Sequence, residues 1–445
     1  MKGMVIDMYE QMLHESNCDV VVVGAGPSGI SAAIAAARNG TKVILLEEDS
    51  LPGGAPVDMY VCMTCGDPRV GIYRELLDFL NENHTIDMEP VIPFHAGMDD
   101  NNHWWMPYSY AHTISHFLSQ EPNIRLITGV RATSILCKED SNGQKKVSGV
   151  IASHGFGTQP LVIHAKVTID STGTGILAEM AGCDVRYGAD TKADFGEEYA
   201  PDERNNRVMP CTLMYITQRM SGDTMPDFSD FRGGGFVEDK LYNWSSSIYT
   251  EALARNKGIY LHWGATVECA DTRDDMLLGE AYMQALVQIE HNAKTWYEHG
   301  FTVQAAPKIG VRECRRVMGD YVLTIYDMLK GNFEYDTIAV SNYGVDLWGS
   351  AKIDEKGLNK KFRTYGIPYR SLLPKHTEGL LIAGKCISGS RFACSSYRVQ
   401  PIVASIGQAC GTAAAISVKD NIQLREVSVT KVQSILQKCG VIDSL

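Results

Sequence analysis

Cys18 to Ala33 reads CDVVVVGAGPSGISAA. Asp19 to Val23 is dominated by β-branched valine, which suits a strand buried on both faces in a parallel sheet. Gly24, Gly26 and Gly29 then form G-x-G-x-x-G, with Pro27 and Ser28 in the gap. The small-residue run Ile30 to Asn39 ends at Gly40, a helix-stop position. The predicted order is strand, loop, helix. One glycine permits the tight turn, one lets backbone approach a pyrophosphate, and one lets helix and strand pack closely. The helix N-terminus adds unpaired N–H groups and partial positive charge for phosphates. A second strand, Lys42 to Leu46, ends on Glu47 and Glu48, about 20 residues beyond the first glycine, where a carboxylate can accept a ribose hydroxyl.

The constellation predicts a dinucleotide site, and the loop alone does not separate NAD from FAD. Two later features do. Gly53 and Gly54 stand just after the second strand, in SLPGGAP. Near the C-terminus, Leu380 to Ala383, Gly384 and the small-sided stretch Val403 to Val418 repeat the order strand, loop, helix. A helix with so little side-chain bulk can lie close to a flat ligand.

This pattern resembles the glutathione-reductase-type FAD fold, and within it the FAD-dependent oxidoreductase family. The resemblance implies that the first glycine loop holds the ADP half. The last strand and helix, with Gly384, Val399 and Gln400, would embrace the isoalloxazine, whose reduced form carries negative charge that a helix N-terminus stabilises. Further stretches are similar to the family: Ile124 to Ile135, read as one strand whose backbone at Val130 meets the adenine; Val167 to Gly182, with Thr172 and Gly173 closing over the adenosine half; Ile309 to Thr324; and Gly366 to Lys375. Arg391 and Trp348 stand where the family often has histidine.

Other chemistries are disfavoured. The 41 basic and 53 acidic residues give a net charge of -12, which argues against a general nucleic-acid or anionic-membrane binder. No window reaches the ~20 uninterrupted apolar residues of a membrane helix. Twelve scattered cysteines and no secretory h-region suggest a reducing, cytoplasmic setting. No second C-x-x-C or H-x₃-H accompanies Cys62 and Cys65, so no metal site is expected.

The expected fold class is α/β, a discontinuous Rossmann-like FAD domain built from residues 18–190 and 365–440, with an inserted α+β cap at 191–364. In the cap, Pro210 to Met220 and Lys257 to Glu268 alternate like antiparallel strands, and Asp274 to Gly300 has helical spacing. Residues 1–17 read as a short amphipathic helix, with tag-like disorder the alternative. Residues 219–235 read as a loop whose Gly233 to Gly235 lacks a preceding strand, so no separate nicotinamide domain is expected. The substrate pocket belongs at the seam of cap and FAD domain.

Because the flavin performs the hydride step, the protein must orient a substrate, handle a proton and stabilise charge. Arg312, Arg315, Arg391 and Arg398 are candidate carboxylate forks, Arg391 and Arg398 foremost. The alternative is that these arginines pair structurally with Glu313, Asp320 or Asp346. Tyr369 and His262 are candidate proton donors, with a structural role the competing reading for His262; His103, Trp104 and Trp105 read as a packed lid. The expected activity is hydride transfer between flavin N5 and a small polar or anionic metabolite. Two alternatives stand beside it: a thiol/disulfide reductase using Cys62 and Cys65, and a flavoprotein subunit passing electrons to a partner protein.

Overall fold

The computed structural model describes residues 14–83, 105–155, 159–226, 236–237, 240–241, 250–254, 258–348 and 354–443. Along the chain come β1 (His14–Val23), α1 (Pro27–Arg38), β2 (Val43–Leu46), β3 (Ile124–Ile127), β4 (Val130–Glu139), β5 (Lys145–His154) and β6 (Leu161–Asp170). Then follow β7 (Cys211–Arg219), β8 (Thr250–Ala254), β9 (Ile259–Val267), α2 (Asp275–Glu298) and β10 (Phe301–Ala305). The last part holds β11 (Thr337–Ser341), β12 (Tyr365–Pro368), β13 (Thr377–Glu378), β14 (Leu380–Ile382), α3 (Arg391–Tyr397) and α4 (Gln400–Asp420).

The main sheet has eight strands in the order β13-β5-β6-β1-β2-β3, with β4 on β5 and β14 on β6. Its centre is parallel: β1 runs with both β2 and β6, and β2 with β3. Val20 to Val23 are buried, as an all-apolar run covered on both faces should be. The chain returns to this sheet after the middle segment, because Leu380 to Ile382 pair in parallel with Thr168 to Asp170.

Helices α1 and α4 lie against each other, and glycines set how closely. A Cβ on Gly407 would stand 2.0 Å from the carbonyl oxygen of Ser28, and one on Gly411 2.1 Å from that of Ala32. No other side chain fits there. α4 is long and apolar enough to cross a membrane, yet 94% of its apolar window is buried inside the protein.

A second, four-stranded antiparallel sheet runs β8-β9-β7-β10. α2 packs on it, closed at its N-terminus by the Asp274 carboxylate, which accepts from the amides of Met276 and Leu277.

Some expectations shift. His14 to Asn17 begin β1 rather than a helix, paired with Leu161 to His164; residues 1–13 lie outside the described residues, as do His103, Trp104 and Gly233 to Gly235. Ile124 to Ile135 is two strands, because Gly129 turns the chain with φ +67°. The last helix begins at Gln400, earlier than the small-residue run, because Pro401 suits a first helical turn.

Candidate functional site

The glycine loop leads from β1 into α1. Gly24 has φ +96° and a Cβ there would meet the Ser171 carbonyl oxygen at 2.4 Å; one on Gly29 would meet the Gly24 carbonyl oxygen at 1.8 Å. Both are required by packing. Gly26 is different: the nearest atom to its Cβ position is the Gly54 Cα at 3.9 Å, so its bareness leaves space above the loop. Gly53 donates its N–H to the Ala25 carbonyl at 2.8 Å, drawing the second glycine pair over the first.

Gly26 caps α1 with no side-chain acceptor, and the first turn carries no acid. The helix therefore presents open N–H groups and uncompensated positive potential. Ser28 Oγ is buried with no hydrogen-bond partner among the described residues, and lies 3.6 Å from the Cβ position of Gly384. An orphaned hydroxyl at an open helix N-terminus, walled by glycines from both chain ends, fits a diphosphate.

Glu47 braces the loop. Its Oε2 accepts from the Ala25 amide at 2.6 Å and its Oε1 from Asp49 at 3.0 Å, while burial pushes its carboxyl above the ordinary range. Glu48 instead is half-exposed and pairs with Lys308 at 2.7 Å and Arg131 at 3.8 Å. The Val130 N–H donates to the Glu47 carbonyl. Thr172 turns its N–H and hydroxyl onto Asp170 Oδ1, and Gly173 follows with φ +69°. Asp170 had no place in the sequence reading. Its buried carboxylate also takes the amides of Leu177 and Ala178. The signal was present: an acid ends the buried run Val167 to Asp170 just before the glycine turn S-T-G-T-G.

Val399 caps α4 without a side-chain acceptor. Gln400 joins the start of α4 to the segment after Gly54, donating to the carbonyls of Val61 and Met63 at 2.9 and 3.0 Å. Two residues before it, Arg398 pairs with Asp346 at 2.8 Å. Asp346 Oδ2 also accepts from the Tyr343 hydroxyl at 3.2 Å. The Tyr343 ring packs against Gly66 beside Val399.

Arg312 joins this group. Its Nη1 donates to the Pro210 carbonyl and to Thr212 Oγ1, both at 2.8 Å, and its guanidinium lies 4.4 Å from the Trp348 ring. Trp348 has φ +52°, a costly backbone for a bulky residue. Among the described residues Arg312 makes no ion pair with an acid. Burial and the neighbouring Arg398 lower its pKa to about 10, so it stays charged at neutral pH. Lys385, after Gly384, reaches the Val311 carbonyl at 2.5 Å, which ties Arg312 to the glycine-lined groove.

The structure does not bring the other candidates here. Arg391 forks onto Glu313, a structural pair, and Arg315 pairs with Glu179. His262 is buried between the second sheet and α2. Its Nε2 contacts Thr217 Oγ1 at 2.8 Å, it stacks on Tyr215, and burial lowers its pKa to about 3. The Tyr369 hydroxyl is spent on the Leu424 carbonyl at 2.9 Å. Cys62 is fully buried, its thiol pushed well above the ordinary value, which does not suit an exchanging nucleophile. Among the described residues no cluster of three or more ligating side chains could hold a metal ion.

Similarity to known proteins runs along most of the chain. The pattern of a family described as FAD dependent oxidoreductase matches residues 19–436. Thiamine thiazole synthase 1 of Vitis vinifera is 28% identical over 170 residues, 36% of this chain and 44% of that protein. The tRNA uridine 5-carboxymethylaminomethyl modification enzyme MnmG of Bacillus thuringiensis (strain Al Hakam) is 26% identical over 263 residues, 52% of this chain and 38% of that protein. The chain thus spans less than half the length of these curated relatives. A geranylgeranyl bacteriochlorophyll reductase-like structure from Thermoplasma acidophilum covers 96% of this chain and 85% of its own, with 13% identity and TM-score 0.44.

Proposed function

Because the chain belongs to the FAD dependent oxidoreductase family, whose cofactor is FAD, we propose that it moves a hydride between the flavin and a small polar or anionic metabolite held beside Arg312 and Arg398. Bound FAD supplies the ring that accepts or donates the hydride. The residues of the groove fit that cofactor. Gly24 and Gly29 let the loop pack tightly, Gly26 clears the approach to the α1 N-terminus, Ser28 Oγ is the free polar atom for the diphosphate, and Glu47 is the acceptor for a ribose hydroxyl. The α4 N-terminus supplies positive potential where a reduced flavin gathers negative charge.

The substrate side rests on one observation: Arg312 is a largely buried guanidinium, without an acidic partner among the described residues, fixed by Thr212 and Pro210 and backed by Trp348. A buried cation of this kind is costly unless something negative arrives. Tyr343 keeps its proton, because burial and the Asp346 charge raise its pKa, and so presents a held proton beside the site.

The test is anaerobic bleaching of the flavin absorbance against a metabolite panel, with Arg312→Met in parallel. Bleaching by an anionic metabolite that Arg312→Met slows about a hundredfold supports the reading. A protein that binds no FAD on reconstitution, or a flavin that no metabolite bleaches, overturns it.

A further inference from the structure

The arginines near this site differ in how their charge is met. Arg391 is neutralised by Glu313, Arg316 by Asp190 and Arg315 by Glu179. Arg398 is neutralised by Asp346 at 2.8 Å, and the Tyr343 hydroxyl adds a hydrogen bond to the same carboxylate oxygen. Lys385 has its stem 3.7 Å from the Cβ position of Gly173 and its ammonium on the Val311 carbonyl, whereas the charges that act most on Arg312 are those of Arg398 and Asp346. The pocket group Arg312, Arg398 and Asp346 thus carries a net charge of about +1.

Shape narrows the choice further. The Trp348 ring covers one face of the Arg312 guanidinium, and among the described residues both hydrogen bonds of Arg312 leave from Nη1. What remains is the in-plane edge of Nη2 and Nε, which matches the two oxygens of one carboxylate. A second negative charge would meet Asp346 in a setting where like charges are costly.

From this geometry we infer that the substrate is a monocarboxylate whose carboxylate takes the Nη2–Nε edge of Arg312, and that Asp346 is the residue that rejects dianions. The inference deepens the proposed function and rests on it. Asp346 does so without touching the reacting atoms: it fixes Arg398 and cancels its charge.

The experiment uses the FAD-loaded protein and calorimetric titration with propionate, malonate and inorganic phosphate, with the flavin visible spectrum as a second readout. Propionate binds, and malonate and phosphate bind about tenfold or more weakly. Arg312→Met loses propionate binding. Arg312→Lys, which keeps the charge without the fork, retains part of it, and serves as the folded control if the methionine variant is unstable. Asp346→Asn moves the malonate-to-propionate preference by about tenfold or more toward malonate. Malonate or phosphate binding as tightly as propionate overturns the inference, as does an unchanged preference in a folded, flavin-loaded Asp346→Asn. Absence of anion binding, with a shifted flavin midpoint potential in Arg312→Met, also overturns it by assigning the guanidinium to the ring. If propionate binds as expected while no metabolite bleaches the flavin, the monocarboxylate site stands and the hydride-transfer reading falls.

Discussion

Arg391 and Glu313 face each other fork to fork, Nε to Oε1 at 2.7 Å and Nη2 to Oε2 at 2.9 Å, with both side chains almost wholly closed from solvent. Glu313 also accepts from the Met209 amide, while Asp190 accepts from the Arg391 amide and from Arg316. One buried network therefore joins the segment entering β7, the stretch around residue 313 and the start of α3. Removing one partner leaves the other charged and unpaired in the interior. Glu313→Ala should lower stability by about 3–5 kcal/mol, measured by denaturant unfolding of the FAD-loaded protein. A loss under about 1 kcal/mol would mean that water enters and the pair is not a buried one.

The close crossing of α1 and α4 is equally exposed to test. Gly407 admits no Cβ without moving the Ser28 backbone, which belongs to the diphosphate loop. Gly407→Ala should destabilise by about 1–3 kcal/mol and lower the FAD content after purification. Gly26→Ala, where the protein itself offers room, should keep the fold near normal and still weaken FAD. Flavin content equal to the parent's in both variants would show that the loop is not the cofactor contact.

How much of this was legible in the sequence follows from how far apart the partners are. The glycine loop, Glu47 and the parallel strands are local: valine pattern, glycine spacing and terminal acid all fall within one βαβ unit, and each residue's task is set by its neighbours. The arginines are not local. In VRECRR, four charged side chains within five positions leave in four directions: Arg312 to Thr212, Glu313 to Arg391, Arg315 to Glu179 and Arg316 to Asp190. Nothing in the string separates the one without an acid among the described residues from the three with a partner. Arg391 and Arg398 looked strongest because they lie between the last strand and helix, and that proximity is real. Their carboxylates lie 78 and 52 residues away in sequence. Asp170 was passed over because a buried acid at a strand end reads like any loop residue until the amides of Leu177 and Ala178 close on it.

His262 gives a test that separates structure from catalysis. Burial holds its folded pKa near 3, against an ordinary 6.5, so the unfolded chain takes the proton more readily. Its contribution is therefore present above pH 6.5 and is lost as pH falls from there toward 3. At pH 5 the loss should be about 2 kcal/mol relative to pH 7.5. His262→Phe should flatten that part of the stability curve, and flavin reduction should keep its pH profile from 6 to 8. A shifted kinetic profile would return His262 to the proton-handling residues.

Glu197 titrates the other way. Its carboxyl is buried between the starts of α3 and the short helix Ile325–Lys330; Oε1 accepts from Ser390 Oγ at 2.6 Å and the Ile325 amide at 2.7 Å. Oε2 has no hydrogen-bond partner among the described residues, and burial raises the pKa from 4.5 to about 7. An acid whose folded pKa is raised binds its proton more tightly in the native state, so the associated stability is full below about pH 4.5 and is lost as pH rises through 7. Glu197→Gln keeps the acceptor and removes the charge. It should be close to neutral at pH 5 and more stable than the parent by on the order of 1–3 kcal/mol at pH 8.5. Thermal unfolding of both proteins at the two pH values decides the matter, since an equal difference at both would mean that the carboxyl is already ionised at pH 5 and paired in a way the orphaned oxygen does not suggest.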